Sequence, residues 1–326
     1  MKAIVCDRYG PPEVLRLEEV DRPVPRDKQV LVKVLASSLN AADFELLGGA
    51  LFARIAGPFR PKNRIPGTDV AGRVVAAGNN VKRLKKGDAV FGDLFMCGDG
   101  AFAEYVAAPE EALMLKPDSI SFEDAATLNQ AAKIALQGLR GRRPLEKGQK
   151  VLINGAGGGM GTFAVQIAKY YGAKVTGVDS RGKLEMLHAL GADHVIDYAR
   201  EDCTRSGKHY DLILDTIARR SIFNYRRVMA PGGLYVLVGG SRYAIFQAIL
   251  LGPLVSIASK KMGINPGNVN DEEDMRFLLE LHENGKLSPV IDRRCTLSEV
   301  PKALSDLSKG LVNGKVVVTV GHDDMN

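Results

Sequence analysis

The stretch "VLINGAGGGMGTFAVQIAKYYGA" (151–173) decides how the second half of this chain reads. It opens on an apolar run too short for a helix, passes through a glycine cluster and continues with helical periodicity. Phe163, Ala164, Ile167, Ala168 and Tyr171 share one face of that helix, and Gly172 follows as its stop. Within the turn, Ala156, Gly158 and Gly161 have the spacing of a dinucleotide fingerprint, with Ala in place of the first Gly. A small residue at 156 permits the tight turn. Gly158 lets the backbone approach a pyrophosphate, and Gly161 lets the helix pack close on the strand. Gly157, Gly159 and Met160 complete a loop whose free N–H groups, at the positive end of the helix dipole, suit phosphates.

Working outward, apolar runs without polar alternation recur at "VLIN" (151), "KVTGVD" (174), "HVIDY" (194), "YDLILDT" (210) and "GLYVLVGG" (233). Helical stretches lie between most of them. That alternation predicts a parallel sheet covered on both faces, a doubly wound α/β fold. Such sheets bind ligands at the carboxyl ends of their strands, which makes Thr216 and Ile217, and Val238, Gly239 and Gly240, further cofactor candidates.

The second of these strands ends at Asp179, where a carboxylate can accept from both ribose hydroxyls of NAD(H) and repel the 2′-phosphate of NADP(H). Ser180, Arg181 and Lys183 argue the other way, since a hydroxyl, a guanidinium and an ammonium suit a phosphate. The residues alone leave both nucleotides open.

From residue 1 to about 120 the text differs. "VLRLEEV", "QVLVKVLAS", "DVAGRVVAAG", "KKGDAVFG" and "AFAEYVAAP" are short strands separated by Gly, Pro and Asp turns, which predicts a barrel or sandwich-like β unit. Beyond about 290, "VIDRRCTL", a helix from about Ser298 and "GKVVVTV" return to that style, so the tail is expected to rejoin the first domain. The expected domains are 1–121 with 290–326, and 122–289.

Composition is that of a globular protein: 326 residues, 45% hydrophobic, 25% charged, net charge +6. The clusters "KRLKK" (82–86) and "RGRRP" (140–144) come with no recognition motif, so nucleic acid is not an expected partner. The four cysteines, at 6, 97, 203 and 295, form no CxxC pair and read as reduced thiols of a cytoplasmic protein. "MKAIVCDRYG" reads as a strand without the apolar core of a signal peptide. The apolar stretch 243–261 is broken by Gly252-Pro253 and is too short to span a bilayer. It would cover a subunit interface or a substrate mouth, or rest on a membrane surface.

Several landmarks taken together carry a family resemblance: "SSLNAADFELLGG" (37–49), "IPGTDVAGRVVAAGNNVKRLKKGDAVFG" (65–92), "GAFAEYVAAP" (100–109), "ALQGL" (135–139), the glycine stretch and "NGKVVVTV" (313–320). Over essentially its whole length the chain resembles the medium-chain dehydrogenase/reductase superfamily, in its zinc-independent, ζ-crystallin-like quinone oxidoreductase branch. The resemblance implies a GroES-like β-barrel domain followed by a Rossmann domain. It also implies NADPH as cofactor, with NADH left open by Asp179.

In the zinc alcohol dehydrogenases of that superfamily a Cys near position 40 and a His in a Gly-His-Glu motif hold the catalytic metal. Here Asn40 and Thr68-Asp69 stand instead, and a structural zinc would need four cysteines near 95–110 where only Cys97 occurs. No metal is therefore expected. Without a Lewis acid, alkoxide stabilisation is lost, but a quinone or an α,β-unsaturated carbonyl can take hydride directly from a reduced nicotinamide.

By the same resemblance Asn40 lies beside nicotinamide and substrate, Tyr198 near the adenosine phosphate, and Lys315 reaches the cofactor from the tail. Asp43 reads as a helix cap or an orienting group. Where relatives read "AGLTALQGL", this chain has "AAKIALQGL". Lys133 is expected to snorkel to solvent, and Ile134 removes a hydroxyl from the acceptor end. The alternatives are a cofactor-binding structural or interaction protein of the ζ-crystallin type, and an alcohol or aldehyde dehydrogenase. A homodimer is expected, with an edge strand near "KMGINPG" (261–267) pairing across a two-fold axis.

Overall fold

The computed structural model describes the chain except for residues 96, 141–143, 240–260, 265–270 and 322–326, and describes Phe52 and 261–264 by backbone alone. The expected apolar cover at 243–258, Gly240 and the end of "KMGINPG" lie outside the described residues. The chain divides into two compact units, Met1–Gln130 with Val269–Glu272 and Ile291–Asn326, and Ala131–Asn268 with Glu273–Val290.

In chain order the first unit begins with β1 (Lys2–Val5), β2 (Arg16–Glu19), β3 (Gln29–Ser38), α1 (Ala41–Leu47) and α2 (Leu51–Ala56). It continues with β4 (Asp69–Ala77), β5 (Ala89–Asp93), β6 (Tyr105–Pro109) and β7 (Leu113–Leu115). The helix α3 (Phe122–Arg140) follows, its start marked by Ser121, whose hydroxyl accepts from the Asp124 N–H at 3.0 Å. The division between the units falls within α3.

The second unit holds β8 (Lys150–Asn154), α4 (Gly159–Tyr170), β9 (Lys174–Asp179), α5 (Leu184–Ala189) and β10 (His194–Asp197). Then come β11 (Tyr210–Asp215), α6 (Ile222–Arg227), β12 (Met229–Leu237) and β13 (Lys261–Ile264), followed by α7 (Glu272–Glu283). The first unit is completed by β14 (Ile291–Cys295), α8 (Val300–Ser308) and β15 (Lys315–Thr319).

The main sheet of the first unit runs β14-β15-β3-β4-β5-β7, with β6 also on β3. Only the β14–β15 pair is parallel. Val30, Val32 and Val34 of β3 meet Val70, Val90, Phe102, Val316 and Val318 in one buried cluster. Strand β15 brings the tail into this core, as its three successive valines require. Register then does the positioning. Ser38 lies opposite Asp69 on one side and Val317 on the other, so the ends of three strands are aligned. Asn40 just after β3, Asp69 opening β4 and Lys315 opening β15 converge there.

The second unit has the strand order β10-β9-β8-β11-β12-β13, all parallel. In sequence order this is 3-2-1-4-5-6, the doubly wound arrangement expected from the apolar runs. Among the described residues β13 is an edge strand, at the position where one was expected. Phe163, Ala164, Ile167 and Ala168 of α4 are all fully buried, and Gly172 ends the segment at φ +76°. The parallel register places the carboxyl ends of β8 and β11 side by side at Asn154 and Asp215, and those of β9 and β10 at Asp179 and Asp197.

Candidate active site

The glycine turn joins β8 to α4. Gly158 is the N-cap and offers no side-chain cap, so the first N–H groups of α4 have no partner from within the helix. Gly158, Gly159 and Met160 are only half-buried, leaving this end open. A Cβ on Gly161 would lie 2.2 Å from the Gly155 carbonyl and 2.6 Å from the Ala156 backbone, so only glycine allows α4 to sit this close to the strand end. A Cβ on Gly157 would lie 2.6 Å from Cδ of Lys183. An uncapped dipole end over a turn that leaves no room for a Cβ at Gly161 suits a pyrophosphate.

Asp179 is turned toward this loop. Its Oδ2 accepts from the Gly157 N–H at 2.8 Å and its Oδ1 from the Ser180 N–H at 2.8 Å. Lys183 Nζ stands 3.8 Å from Oδ1, both side chains being more than nine-tenths buried. The carboxylate therefore anchors its own turn with both oxygens. Lys183 covers the turn, while Arg181 projects into solvent beside half-buried Ser180. The Tyr198 N–H donates to the Asp179 carbonyl at 3.2 Å, and its ring is about half exposed.

At the next strand end, the Thr216 hydroxyl donates to the Asn154 carbonyl at 3.0 Å. Behind it, Asp215 is completely buried and acts as a hub. Its Oδ1 accepts from Asn154 Nδ2 at 2.8 Å and the Ala218 N–H at 2.8 Å, and its Oδ2 from the Tyr235 hydroxyl at 3.0 Å. Burial, reinforced by this carboxylate, pushes the Tyr225 and Tyr235 hydroxyls well above the usual tyrosine range. The hub ties β8, β11 and β12 together beneath the turn that carries Thr216 and Ile217. Val238 donates its N–H to the Asp215 carbonyl at 2.9 Å, and Gly239 follows at φ +72°.

In the first unit Asn40 is 6% exposed, and its amide is held from both sides. Nδ2 donates to Asp69 Oδ2 at 2.7 Å and Thr68 Oγ1 at 3.2 Å, while Oδ1 accepts from Lys315 Nζ at 2.5 Å. The reverse orientation would put the NH2 against an ammonium and the oxygen against a carboxylate, so the partners fix it. Lys315 also donates to the Leu39 carbonyl at 2.9 Å and lies 3.4 Å from Asp69 Oδ2. Asp69 Oδ2 also accepts from the Ser38 hydroxyl at 2.6 Å, and Oδ1 from the Gln130 N–H at 3.2 Å. Burial pulls Lys315 below the usual lysine range, and Asp69 opposes that pull. Lys315 is thus buried beneath Asn40, its ammonium satisfied by Asp69 and by the Leu39 carbonyl and Asn40 amide oxygen just after β3.

Asp43, in the first turn of α1, accepts the Asn40 N–H on Oδ2 at 2.7 Å, as a capping residue does. Its Oδ1 is buried without a hydrogen-bond partner, and burial, with Asp69 nearby, raises its carboxyl well above the ordinary range. Lys133 is 6% exposed, so it does not snorkel; it sits among the buried residues of α3.

Zinc does not fit these residues. The donor set around position 40 is an amide, a hydroxyl and a carboxylate already ion-paired to a fixed ammonium, with no thiolate or imidazole. Among the described residues no three His, Cys, Asp or Glu side chains are grouped to hold a metal. The structure thus gathers Ala156 to Gly161, Asp179, Ser180, Arg181, Lys183 and Tyr198 at one end of the second sheet. It gathers Asn40, Asp43 and Lys315 at one end of the first. Asp69 and Asp215 are the residues that sequence reasoning missed as anchors. Each is a charge at a strand end directly beside an apolar run, "DVAG" and "LILD", which is the signal that could have found them.

Known proteins show the same two parts. Residues 26–118 match the family described as alcohol dehydrogenase GroES-like domain, and residues 190–318 the one described as zinc-binding dehydrogenase. An NADPH-dependent alkenal/one oxidoreductase of Arabidopsis thaliana is 34% identical, over 98% of this chain and 79% of its own. An NAD-dependent alcohol dehydrogenase of Sulfolobus acidocaldarius is 34% identical, over 98% of this chain and all of its own. The structure of the quinone oxidoreductase from Coxiella burnetii superposes with a TM-score of 0.89 at 30% identity, over 98% of this chain and 99% of that one. Together with the parallel sheet, the glycine turn and Asn40 at the metal position, these likenesses place the chain in the medium-chain dehydrogenase/reductase superfamily, in its zinc-independent quinone oxidoreductase branch.

Proposed function

We propose that this chain is an NADPH-dependent reductase of quinones or α,β-unsaturated carbonyls. The observation that carries the reading is the pair of polar ends just described, one with unsatisfied backbone donors and one with a locked amide in place of metal ligands. The N–H groups of α4 bind the pyrophosphate, with Ala156 to Gly161 as the cradle. Thr216, Ile217, Val238 and Gly239 line the way to the nicotinamide. Arg181, Ser180 and Tyr198 face the adenosine end. Asp179 is committed to its own turn and does not read the ribose hydroxyls, whereas Arg181 is free to meet a 2′-phosphate, which favours NADPH over NADH. When bound, NADPH supplies the hydride.

Asn40 orients the acceptor. The Lys315 ammonium behind its carbonyl polarises the amide and strengthens its N–H groups as donors. Its bond to Thr68, longer than the other two, is the one that an acceptor oxygen replaces at least cost. Lys315 acts here as a positioning residue for that amide. The domain limits 1–121 with 290–326 and 122–289, a cytoplasmic setting and a homodimer formed along the β13 edge belong to the same proposal.

The test is oxidation of NADPH with a panel of quinones, enones and simple alcohols or aldehydes, using wild type and Asn40→Ala. Turnover of the first two classes, reduced in Asn40→Ala with nucleotide binding intact, is the expected result. Turnover confined to alcohols and aldehydes would make it a dehydrogenase of the alternative kind. Binding without turnover would favour a structural or interaction protein.

A further inference from the structure

Between α1 and β4 the chain carries "LFARIAGPFRPKNR" (51–64), with four basic side chains and no acidic one. Here the chain exposes apolar surface that folding would normally hide. Leu51 and Ile55 lie one helical turn apart on α2 and are 72% and 77% exposed, and Phe59 just beyond is 93% exposed. Among the described large hydrophobic residues only Val24 is comparably bare. Isolated exposed side chains are ordinary, but three in succession beside cations are not.

The segment is held firmly in this presentation. The Tyr9 hydroxyl bonds the carbonyls of Gly57 at 2.7 Å and Ala53 at 3.0 Å. The Arg54 guanidinium lies 4.7 Å from the centre of the Tyr9 ring and donates to the carbonyls of Gly49 at 3.1 Å and Pro58 at 3.3 Å. None of these contacts neutralises Arg54. Arg64 is different, since Asp7 and Glu18 each pair with it at 2.7 Å. Among the described residues no carboxylate pairs with Arg54, Arg60 or Lys62, and both Arg60 and Lys62 are exposed.

We infer that this ridge docks the protein on anionic lipid bilayers. Leu51, Ile55 and Phe59 enter the headgroup and acyl boundary, while Arg54, Arg60 and Lys62 meet lipid phosphates. Exposed apolar side chains interspersed along a short segment with unpaired cations are the make-up of an interfacial membrane contact. The charge also disfavours a second copy as the occupant, since a two-fold contact would set the same unpaired cations against each other. The inference concerns where the protein sits and does not depend on which acceptor it reduces.

The chain has no tryptophan, so Phe59→Trp in the full-length protein makes a single fluorescent probe at the tip. Its emission is expected to shift to the blue on vesicles of mixed phosphatidylcholine and phosphatidylglycerol. Pure phosphatidylcholine should give little shift, and added salt should reverse the one seen. Adding Arg60→Gln and Lys62→Gln should weaken vesicle binding about thirtyfold, two surface cations at ~1 kcal/mol each. Ile55→Ser with Phe59→Ser should abolish co-sedimentation with the mixed vesicles while leaving the thermal midpoint unchanged. Absence of the shift on anionic vesicles, or an equal shift on both kinds, overturns the inference. A sedimentation coefficient that falls in the serine variant without lipid also overturns it, and assigns the ridge to self-association.

Discussion

The two polar ends of this molecule are built in opposite ways. Around Asn40 each donor of the amide and of Lys315 that has been described meets an acceptor of the same unit, and Asp69 is surrounded by donors. At the start of α4 the backbone donors have no side-chain cap, and Gly158, Gly159 and Met160 are only half-buried. A saturated cluster resists rearrangement, because removing one member strands the others in low dielectric. An unsaturated helix end costs little while water solvates it and gains when an anion replaces the water. The first arrangement keeps a side chain in one orientation; the second waits for a ligand.

Breaking the saturated end should have the largest effect. Lys315→Met keeps the bulk but leaves Asp69 without its cation, and should cost about 3–5 kcal/mol in denaturant unfolding. Adding Asp69→Asn should recover much of that loss. An unchanged single variant would mean that hydrogen bonds alone hold Asp69.

At the open end Gly161→Val forces a side chain into the Gly155 carbonyl and the Ala156 backbone. It should destabilise the protein by about 3 kcal/mol and remove nucleotide binding in calorimetry. Arg181→Ala should leave stability alone and weaken NADPH about tenfold, near 1.4 kcal/mol, with NADH affected little. Equal loss of both would place Arg181 on the pyrophosphate rather than on a 2′-phosphate.

The smallest effect sharpens the comparison through pH. The folded-state pKa of Asp43 is raised, so from about pH 4 upward the native state binds more protons there than the unfolded chain does. Its contribution to stability is therefore present at low pH and lost as pH rises through the folded value. Asp43→Asn should flatten the pH dependence of stability, read from unfolding midpoints of the two proteins across that range. Lys315, with its folded pKa lowered, acts in the opposite sense on the alkaline side, so the difference between the two proteins isolates Asp43.

Much of this was legible in the sequence. Apolar runs such as "VLIN" and "LILD" can be buried on both faces only in a covered parallel sheet, and the glycine spacing placed the turn at the strand end where α4 starts. Three things were not legible. The inward turn of Asp179 follows from its distance to the Gly157 N–H, which spacing along the chain does not encode. The burial of Lys315 depends on β15 pairing with β3, as in Val317 opposite Ser38, a contact between distant parts of the chain for which the sequence offers only an apolar triplet. Lys133 was expected in solvent because lysines usually are, yet it is buried on α3.

The most direct measurement is calorimetric titration of the wild-type protein with NADPH and with NADH, repeated on Asp179→Ala. NADPH is expected to bind wild type about tenfold tighter or better, and Asp179→Ala to weaken both by loosening the turn. If NADH binds tighter and Asp179→Ala reverses the order, the carboxylate reads the ribose and the cofactor assignment is wrong. If neither binds, the uncapped end of α4 is only a turn, and the reductase reading falls with it.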